Sequence, residues 1–283
     1  MVKELVLRKE SKRYPGLFTV KYHNRVFYEN LWTDELRESR GRVELTDGTV
    51  VVNPFTKIFN RNENNTDIAP QENCVVSLKV NGFMAAATYV HFVNKVVVST
   101  TGSLDSNFVA MAEEYITDSV KDKIEQNYQG KTLLFEVCNP KDPHIIPQVP
   151  GIYLIGMRDV SNKSPYFSTP SYERTLDYIS EVLGVGRTIW CETTFLDLLV
   201  EIKTAKLEGA VVYGQESGTV LKIKSPYYLA NKAVARIKDI EKLNRKFIDE
   251  EFYPLIEYAK SIDRFSELPE QQKLQLLRGF YDQ

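Results

Sequence analysis

Lys79 stands inside the apolar, strand-like run VSLKVNGFMAA (76–86), followed two residues later by Asn81-Gly82. As an outward charge on a half-buried strand it needs no further purpose. As a nucleophile it meets a physical obstacle. With an ordinary pKa of about 10.4, only about one lysine in a thousand is neutral at pH 7.4, so nearby cations or an apolar wall must disfavour the ammonium. The sequence holds such cations in LKIKSP (221–226), where Lys222 and Lys224 fall on one face of a strand while Leu221 and Ile223 take the other. Two adjacent lysines repel, which suits an open edge or a pocket that receives a polyphosphate. Glu136 inside LLFEV and Glu208 at the head of LEGAVV each set a carboxylate into an apolar strand, where it requires a cation or hydroxyls, with a structural salt bridge as the plain alternative. Gly82 permits close backbone approach to a ligand, and the Asn81 amide can orient a nucleotide or a metal-bound water.

These residues depend on a strand-rich scaffold. Residues 17–101 read as extended, through LFTVKYH, then GRVELTDGTVVVNP with a turn at Asp47-Gly48, then CVVSLKVNGFMAAATYVHFVNKVVVSTTG. A helix is predicted from Ser106 to Gln129 on the rhythm of Phe108, Met111, Ala112, Tyr115, Ile116, Val120 and Ile124, ended by Gly130. The strands TLLFEVC and GIYLIGMRDV follow. Thr169-Pro170 opens a helix closed by Gly184, and Thr194 with Asp197 caps another, FLDLLVEIKTAK. LEGAVVYGQESGTVLKIKSPYYL reads as a hairpin turning at GQESG. Beyond residue 229 the pattern is helical, with breaks near Pro254 and Pro269. The expected class is α+β, a body over residues 1–228 and a small all-helical C-terminal unit over residues 229–283.

Composition limits the partners. With 43% apolar and 26% charged residues and a net charge of −2, a uniformly basic nucleic-acid coat is excluded. Charge is uneven, though: Lys222 to Lys246 carries eight basic residues (Lys222, Lys224, Lys232, Arg236, Lys238, Lys242, Arg245 and Lys246) against Asp239 and Glu241. That stripe is either a solvated helix face or a phosphate-contacting surface. Cys74, Cys138 and Cys191 with His23, His91 and His144 form neither a disulfide framework nor a zinc pattern. No signal-like or membrane-spanning apolar run is present, so a soluble, cytoplasmic protein is expected.

In order, Lys-x-Asn-Gly, Phe-Glu, Glu-Gly and Lys-x-Lys resemble the motifs of the covalent nucleotidyltransferases, the superfamily of ATP-dependent ligases and mRNA capping enzymes. The flanking segments are most similar to the bacteriophage tRNA-repair RNA ligase and fungal tRNA ligase family. ESRGRVEL (38–45) resembles its upstream Arg-Gly element, PFTKIFNRNEN (54–64) its Lys-x-Phe-Asn-x-Asn-Glu signature, and VLKIKSPYY its last motif. The resemblance covers roughly residues 20 to 228, and it implies an ATP-grasp-like ligase domain of antiparallel sheets with flanking helices.

It further implies an ATP-dependent RNA ligase in which Lys79 attacks the ATP α-phosphorus, becomes lysyl-AMP and releases pyrophosphate. Lys222 and Lys224 would hold the α-phosphate and help depress the pKa of Lys79. Arg40 and Lys57 would engage the nucleotide, with Phe59 and Asn60 supporting their loop. Glu136 and Glu208 would bind the ribose or the hydration shell of Mg²⁺ or Mn²⁺, and Asn81 would hydrogen-bond a metal-bound water or a ribose hydroxyl. The adenylate would pass to an RNA 5′-phosphate and a 3′-hydroxyl would displace AMP, with tRNA among the substrates. No end-healing domain is encoded in these residues, so a separate kinase and phosphatase would prepare the ends. A monomer is expected, in the host cytoplasm if the source is a phage, with the tail and its basic stripe as a place for RNA selection. The alternatives are a nucleotidyltransferase of DNA ligase or capping type with another acceptor, and a degenerate protein that only binds RNA ends. Two departures stand out: Asn81 replaces the Asp of many ligases, as in the fungal relatives, and Thr100-Thr101 stand where phage relatives carry a lysine. The adenine-stacking residue is expected at Tyr153 or Ile155.

Overall fold

The computed structural model describes residues 2–162, 164–244, 246 and 248–281, with only the backbone for residues 2 and 3. Period-two alternation builds its centre. The sheet that carries Lys222 comprises β5 (Phe59–Asn60), β6 (Asn73–Leu78), β12 (Trp190–Thr194), β13 (Gly209–Gly214) and β14 (Val220–Lys224), in the order β12-β6-β13-β14-β5. Cys74, Val76, Ala210, Val212, Leu221 and Ile223 point to one face and bury Phe195, Leu198 and Ile202 of helix α6 (Phe195–Thr204). The intervening residues Val75, Ser77, Val211, Tyr213 and Lys222 take the other face, so one alternation seats the helix and aims the lysine inward.

A second sheet faces it, formed by β7 (Phe83–Val90), β8 (Lys95–Thr100), β9 (Lys131–Cys138), β10 (Gly151–Asp159) and β11 (Gly186–Arg187), in the order β11-β10-β9-β7-β8. Ala86, Val97 and Leu134 pack toward the first sheet. Its far face is covered by α3 (Asn107–Glu113), α4 (Asp118–Asn127) and α5 (Pro170–Leu183), around a core that includes Phe135, Leu154, Ile116, Ile124 and Leu176. A third sheet, β1 (Val6–Glu10), β2 (Leu17–Tyr22), β3 (Arg40–Leu45) and β4 (Val50–Val52), closes the side and adds Leu17, Val43 and Val52 to the inter-sheet core. Between β2 and β3 lie two single-turn helices, α1 (Asn24–Tyr28) and α2 (Asp34–Glu38). Pairing is antiparallel except for the short parallel contacts β10–β11 and β14–β5.

The helix predicted over 106–129 is two helices. α3 ends at Glu113, and Thr117, extended (φ −65°, ψ 169°), stands at the N-cap of α4, so the helix is interrupted over 114–117. The apolar rhythm survives because both pieces lie on the same sheet. Lys79 also falls just outside the strand, since β6 ends at Leu78, although the Lys79 N–H still donates to the Gly209 carbonyl at 2.9 Å.

The C-terminal segment forms α7 (Pro226–Arg236), α8 (Tyr253–Ser261) and α9 (Glu270–Tyr281), joined through short turns. The helical pattern is interrupted near Pro254 and Pro269 as expected, for α8 starts at Tyr253 with Pro254 in its first turn, where a missing N–H costs nothing, and α9 starts just after Pro269. The tail core, including Val234, Leu255, Ile256, Leu274 and Leu277, takes in Ile145 and Ile146 from the β9–β10 connection. Arg245 of the basic stripe lies outside the described residues. No helix among the described residues is long and apolar enough to cross a membrane.

Candidate active site

Where the two central sheets diverge beyond Leu78 they leave a cavity of about 330 Å³. Its lining combines Lys79, Gly82, Glu136, Lys222 and Arg40 with the apolar walls Phe55, Ile58, Phe83, Met84 and Ile155. Four separated sequence motifs thus meet in one space. A larger cleft of about 700 Å³, lined by Asp34, Glu38, Arg42, Asn53 and Asn162 among others, contains none of Arg40, Lys79, Gly82, Glu136 and Lys222. Chemistry, not volume, selects the smaller one.

The ammonium of Lys79 lies 2.9 Å from Glu208 Oε2 and 3.6 Å from Glu136 Oε1. Burial works against its charge, but the two carboxylates outweigh burial and hold its pKa above the ordinary lysine value. Glu208 is buried and also accepts from Asn81 Nδ2 at 2.8 Å, while Glu136 accepts from the Gly82 N–H at 3.1 Å. Asn81 Oδ1 in turn accepts from the Ile146 N–H at 2.9 Å, so the amide is fully oriented by backbone and carboxylate. Gly82 has no alternative here: a Cβ would lie 2.3 Å from the Val137 carbonyl oxygen. Gly209 is equally fixed, with φ +150° and the Ile223 carbonyl 2.0 Å from any added Cβ.

Lys222 has the opposite surroundings. Burial first, then Arg40, Lys57, Lys79 and Lys224, push its pKa down to about 7. Arg40 is drawn below its ordinary value by burial and, among the described residues, its guanidinium donates to Met84 Sδ at 3.9 Å. Lys224 is lowered by burial and by Lys232, and lies 4.9 Å from the Tyr228 ring centroid. Lys57 lies behind the cavity wall, paired with Glu63 at 3.0 Å and within 5.0 to 5.5 Å of the Phe59, Trp32 and Phe27 ring centroids. Phe59 and Asn60 pair in register with Leu221 and Lys222, and Glu63 ties the loop by accepting from Asn60 N and Nδ2.

Of the expected site residues, therefore, Lys79, Gly82, Arg40, Glu136 and Lys222 line the cavity. Glu208 and Asn81 stand directly behind Lys79, and Lys57, Phe59, Asn60 and Lys224 form an outer ring. The expectation that cations depress Lys79 is not met: the cation cluster acts on Lys222, and carboxylates hold Lys79 charged. Of the two stacking candidates, Ile155 lines the cavity, whereas the Tyr153 hydroxyl donates to the Val149 carbonyl. Thr101 also lines the wall. Three contributors escaped the sequence reading: Tyr228, inside the quoted SPYY; Ile146, flanked by prolines in PHIIPQ; and the buried Glu173, which accepts from Ser77 Oγ at 3.3 Å and pairs with Arg187. An apolar pair between prolines is a signal for a buried strap, but only folding reveals what it supports.

The donor set suits a hard divalent cation that keeps most of its waters, with two carboxylates and one amide on one side of the cavity. Among the described residues no group of three or more His, Cys, Asp or Glu side chains is placed to hold a metal ion by itself.

The chain matches the family model for RNA ligase over residues 31–228. Comparison with curated proteins yields no match. Its structure is similar to two forms of an archaeal ATP-dependent RNA ligase. With the first form the TM-score is 0.59 at 16% identity, covering 98% of this chain and 73% of that one. With the second it is 0.58 at 15% identity, covering 96% and 72%. A putative ATP-dependent DNA ligase from Aquifex aeolicus gives 0.58 at 14% identity, covering 99% and 76%. At such identities the likeness concerns the fold alone, the α+β architecture these ligases share.

Proposed function

The chain belongs to the RNA ligase family, and from that premise we propose that it seals RNA ends with ATP through a lysyl-AMP intermediate on Lys79. The observation that supports this most is the division of one cavity into an acidic side holding Lys79 and a cationic side formed by Arg40 and Lys222. In this reading the triphosphate lies against Arg40 and Lys222, with Lys224 and Lys57 reinforcing the field, and adenine enters the apolar part beside Ile155. The Lys79 amine attacks the α-phosphorus and the bond to pyrophosphate breaks, giving a phosphoramidate; the amine must first lose the proton that Glu136 and Glu208 now favour. A bound Mg²⁺ or Mn²⁺ would be held by Glu136, Glu208 and, through water, Asn81, and would supply charge that competes with the ammonium for those carboxylates. The RNA 5′-phosphate then takes the adenylate from Lys79, and a 3′-hydroxyl displaces AMP. The same cations serve all three transfers, since each develops negative charge at phosphorus.

Residues 1–228 act in this reading as the adenylyltransferase unit and 229–283 as the helical unit. RNA repair, with tRNA among the substrates and ends prepared by a separate kinase and phosphatase, is the proposed setting, for a monomer in the cytoplasm. The test is the intact mass of the protein after ATP, Mg²⁺ and pyrophosphatase. One added AMP on the native chain and none on Lys79→Ala is the expected result. No adduct on either overturns the reading.

A further inference from the structure

Resting on that ligase reading, we infer that the exposed aromatic pair Phe27-Tyr28 on α1 is a stacking platform for the bases of a single-stranded RNA terminus.

The basic stripe of the tail is a weak competitor. Arg236 pairs with Glu270 at 2.8 Å, Lys242 with Asp239 at 3.1 Å, and Glu241 with Lys260 at 3.0 Å. Two of its cations are thus paired within the helical unit, and Lys222 and Lys224 belong to the cavity region. The α1 surface differs in kind. Phe27 is 52% and Tyr28 80% exposed, on adjacent residues whose ring centroids are 5.5 Å apart. Leaving two large rings in water is unfavourable unless something covers them.

What covers them is indicated by their neighbours. The Phe27 ring lies 5.5 Å from Lys57 Nζ, and Lys57 is one of the cations acting on Lys222 at the cavity. The next surface is an asparagine-rich loop in which Asn62, Asn64 and Asn65 all hold positive φ, 65°, 54° and 56°. Asn30 Nδ2 donates to Asn64 Oδ1 at 3.5 Å across the gap from α1, and the Arg61 N–H donates to the Lys222 carbonyl at 2.9 Å. In order outward from the cavity the fold thus sets the cations Arg40 and Lys222, then the exposed asparagine amides of the loop that Arg61 ties to the Lys222 strand, then the rings of Phe27 and Tyr28. Phosphates suit the first, base edges the second and base faces the third. Single strands offer all three at once, whereas a duplex hides its faces. A protein partner would use the rings but neither the cavity cations Arg40 and Lys222 nor the row of exposed asparagine amides.

The experiment uses the full chain, after AMP loading of the wild type has been checked by mass. Binding of a short 5′-phosphorylated single-stranded oligoribonucleotide is compared for wild type, Tyr28→Ala and Tyr28→Phe, beside the same sequence as a blunt duplex. Tyr28→Ala is expected to lose about tenfold in single-strand affinity, in the range typical of one stacked base. Tyr28→Phe should bind like wild type, duplex binding should not change, and AMP loading should be equal in all three. In Tyr28→Trp, the added indole fluorescence should be quenched by the single strand. Unchanged binding by Tyr28→Ala, or equal loss in Tyr28→Phe, overturns the platform while AMP loading leaves the ligase reading intact. A shift in oligomeric state with Tyr28→Ala and no change in RNA affinity also overturns it, assigning the rings to a second copy. Failure of the wild type to take up AMP overturns the underlying reading instead.

Discussion

Lys79 and Lys222 line the same cavity and are held in opposite conditions. Lys79 touches two carboxylates and is kept charged; Lys222 is buried among Arg40, Lys57, Lys79 and Lys224 and is driven toward neutrality. One side of the cavity thus pairs its charges internally, while the other carries a repulsion that is relieved when Lys222 loses its proton or when an anion lies against it. Pre-formed cation repulsion is stored affinity for polyphosphate, and pre-formed ion pairing keeps the nucleophile protonated until its counter-charges are taken.

The largest break in this comparison is Lys79→Arg. It keeps a cation between Glu136 and Glu208 but cannot be deprotonated at working pH, so nucleotide binding should persist with complete loss of the covalent AMP. Mass spectrometry and equilibrium ATP binding separate the two effects. Equal loss of both would mean that the residue only binds.

Next in size is Glu208→Gln, which preserves shape and the contact to Asn81 while removing one charge beside Lys79. Apparent affinity for the divalent ion in AMP loading should weaken by roughly 10 to 100-fold. Titrating Mg²⁺ at saturating ATP measures this. An unchanged Mg²⁺ requirement would move the metal to other ligands.

The cationic side gives a pH signature. Free Lys222 has its pKa pushed down to about 7, and a bound polyanion raises it, so binding takes up a proton wherever the free amine is neutral and the bound one charged. Affinity for a non-hydrolysable ATP analogue should therefore be level below that pH and fall above it, approaching about tenfold per pH unit between pH 7.5 and 9. Lys222→Arg, always charged, should flatten the profile. A wild-type profile as flat as the variant's would assign the depressed lysine elsewhere.

How far these features were legible depends on distance along the chain. The inward aim of Lys222 was readable because Leu221 and Ile223 flank it in a short strand, and alternation needs no tertiary knowledge. Its partner Arg40 was readable only through resemblance, since the cavity position of that arginine depends on how the third sheet closes on the other two. The charged state of Lys79 was unreadable: Glu208 lies 129 residues away, and cation help was the natural inference from Lys-x-Lys. The interruption over 114–117 was hidden because both helices continue one apolar pattern. β11 and β12 were missed because GVGRTIWCETT is short, edge-bound and exposed, with no alternation to read.

The smallest predicted effect links the cavity to the helical unit. Arg278 of α9 donates from Nη2 to the His144 carbonyl at 3.1 Å, and the next residues, Ile145 and Ile146, are buried in the tail core. The Ile146 N–H orients Asn81, Asn81 donates to Glu208, and Glu208 holds Lys79. Weakening the first bond should loosen the last by only part of its worth, because the buried isoleucines anchor the same strap. Arg278→Ala is therefore expected to raise the Mg²⁺ requirement of AMP loading by about two- to fivefold, in keeping with one hydrogen bond of roughly 1 kcal/mol partly transmitted, while Arg278→Lys restores most of it. Because the metal requirement is read at saturating ATP, simple loss of folded protein would lower the amount of product without shifting the titration midpoint. A shifted midpoint thus makes the tail a positioning element for the carboxylate side of the cavity; an unmoved one confines Arg278 to holding the helices together.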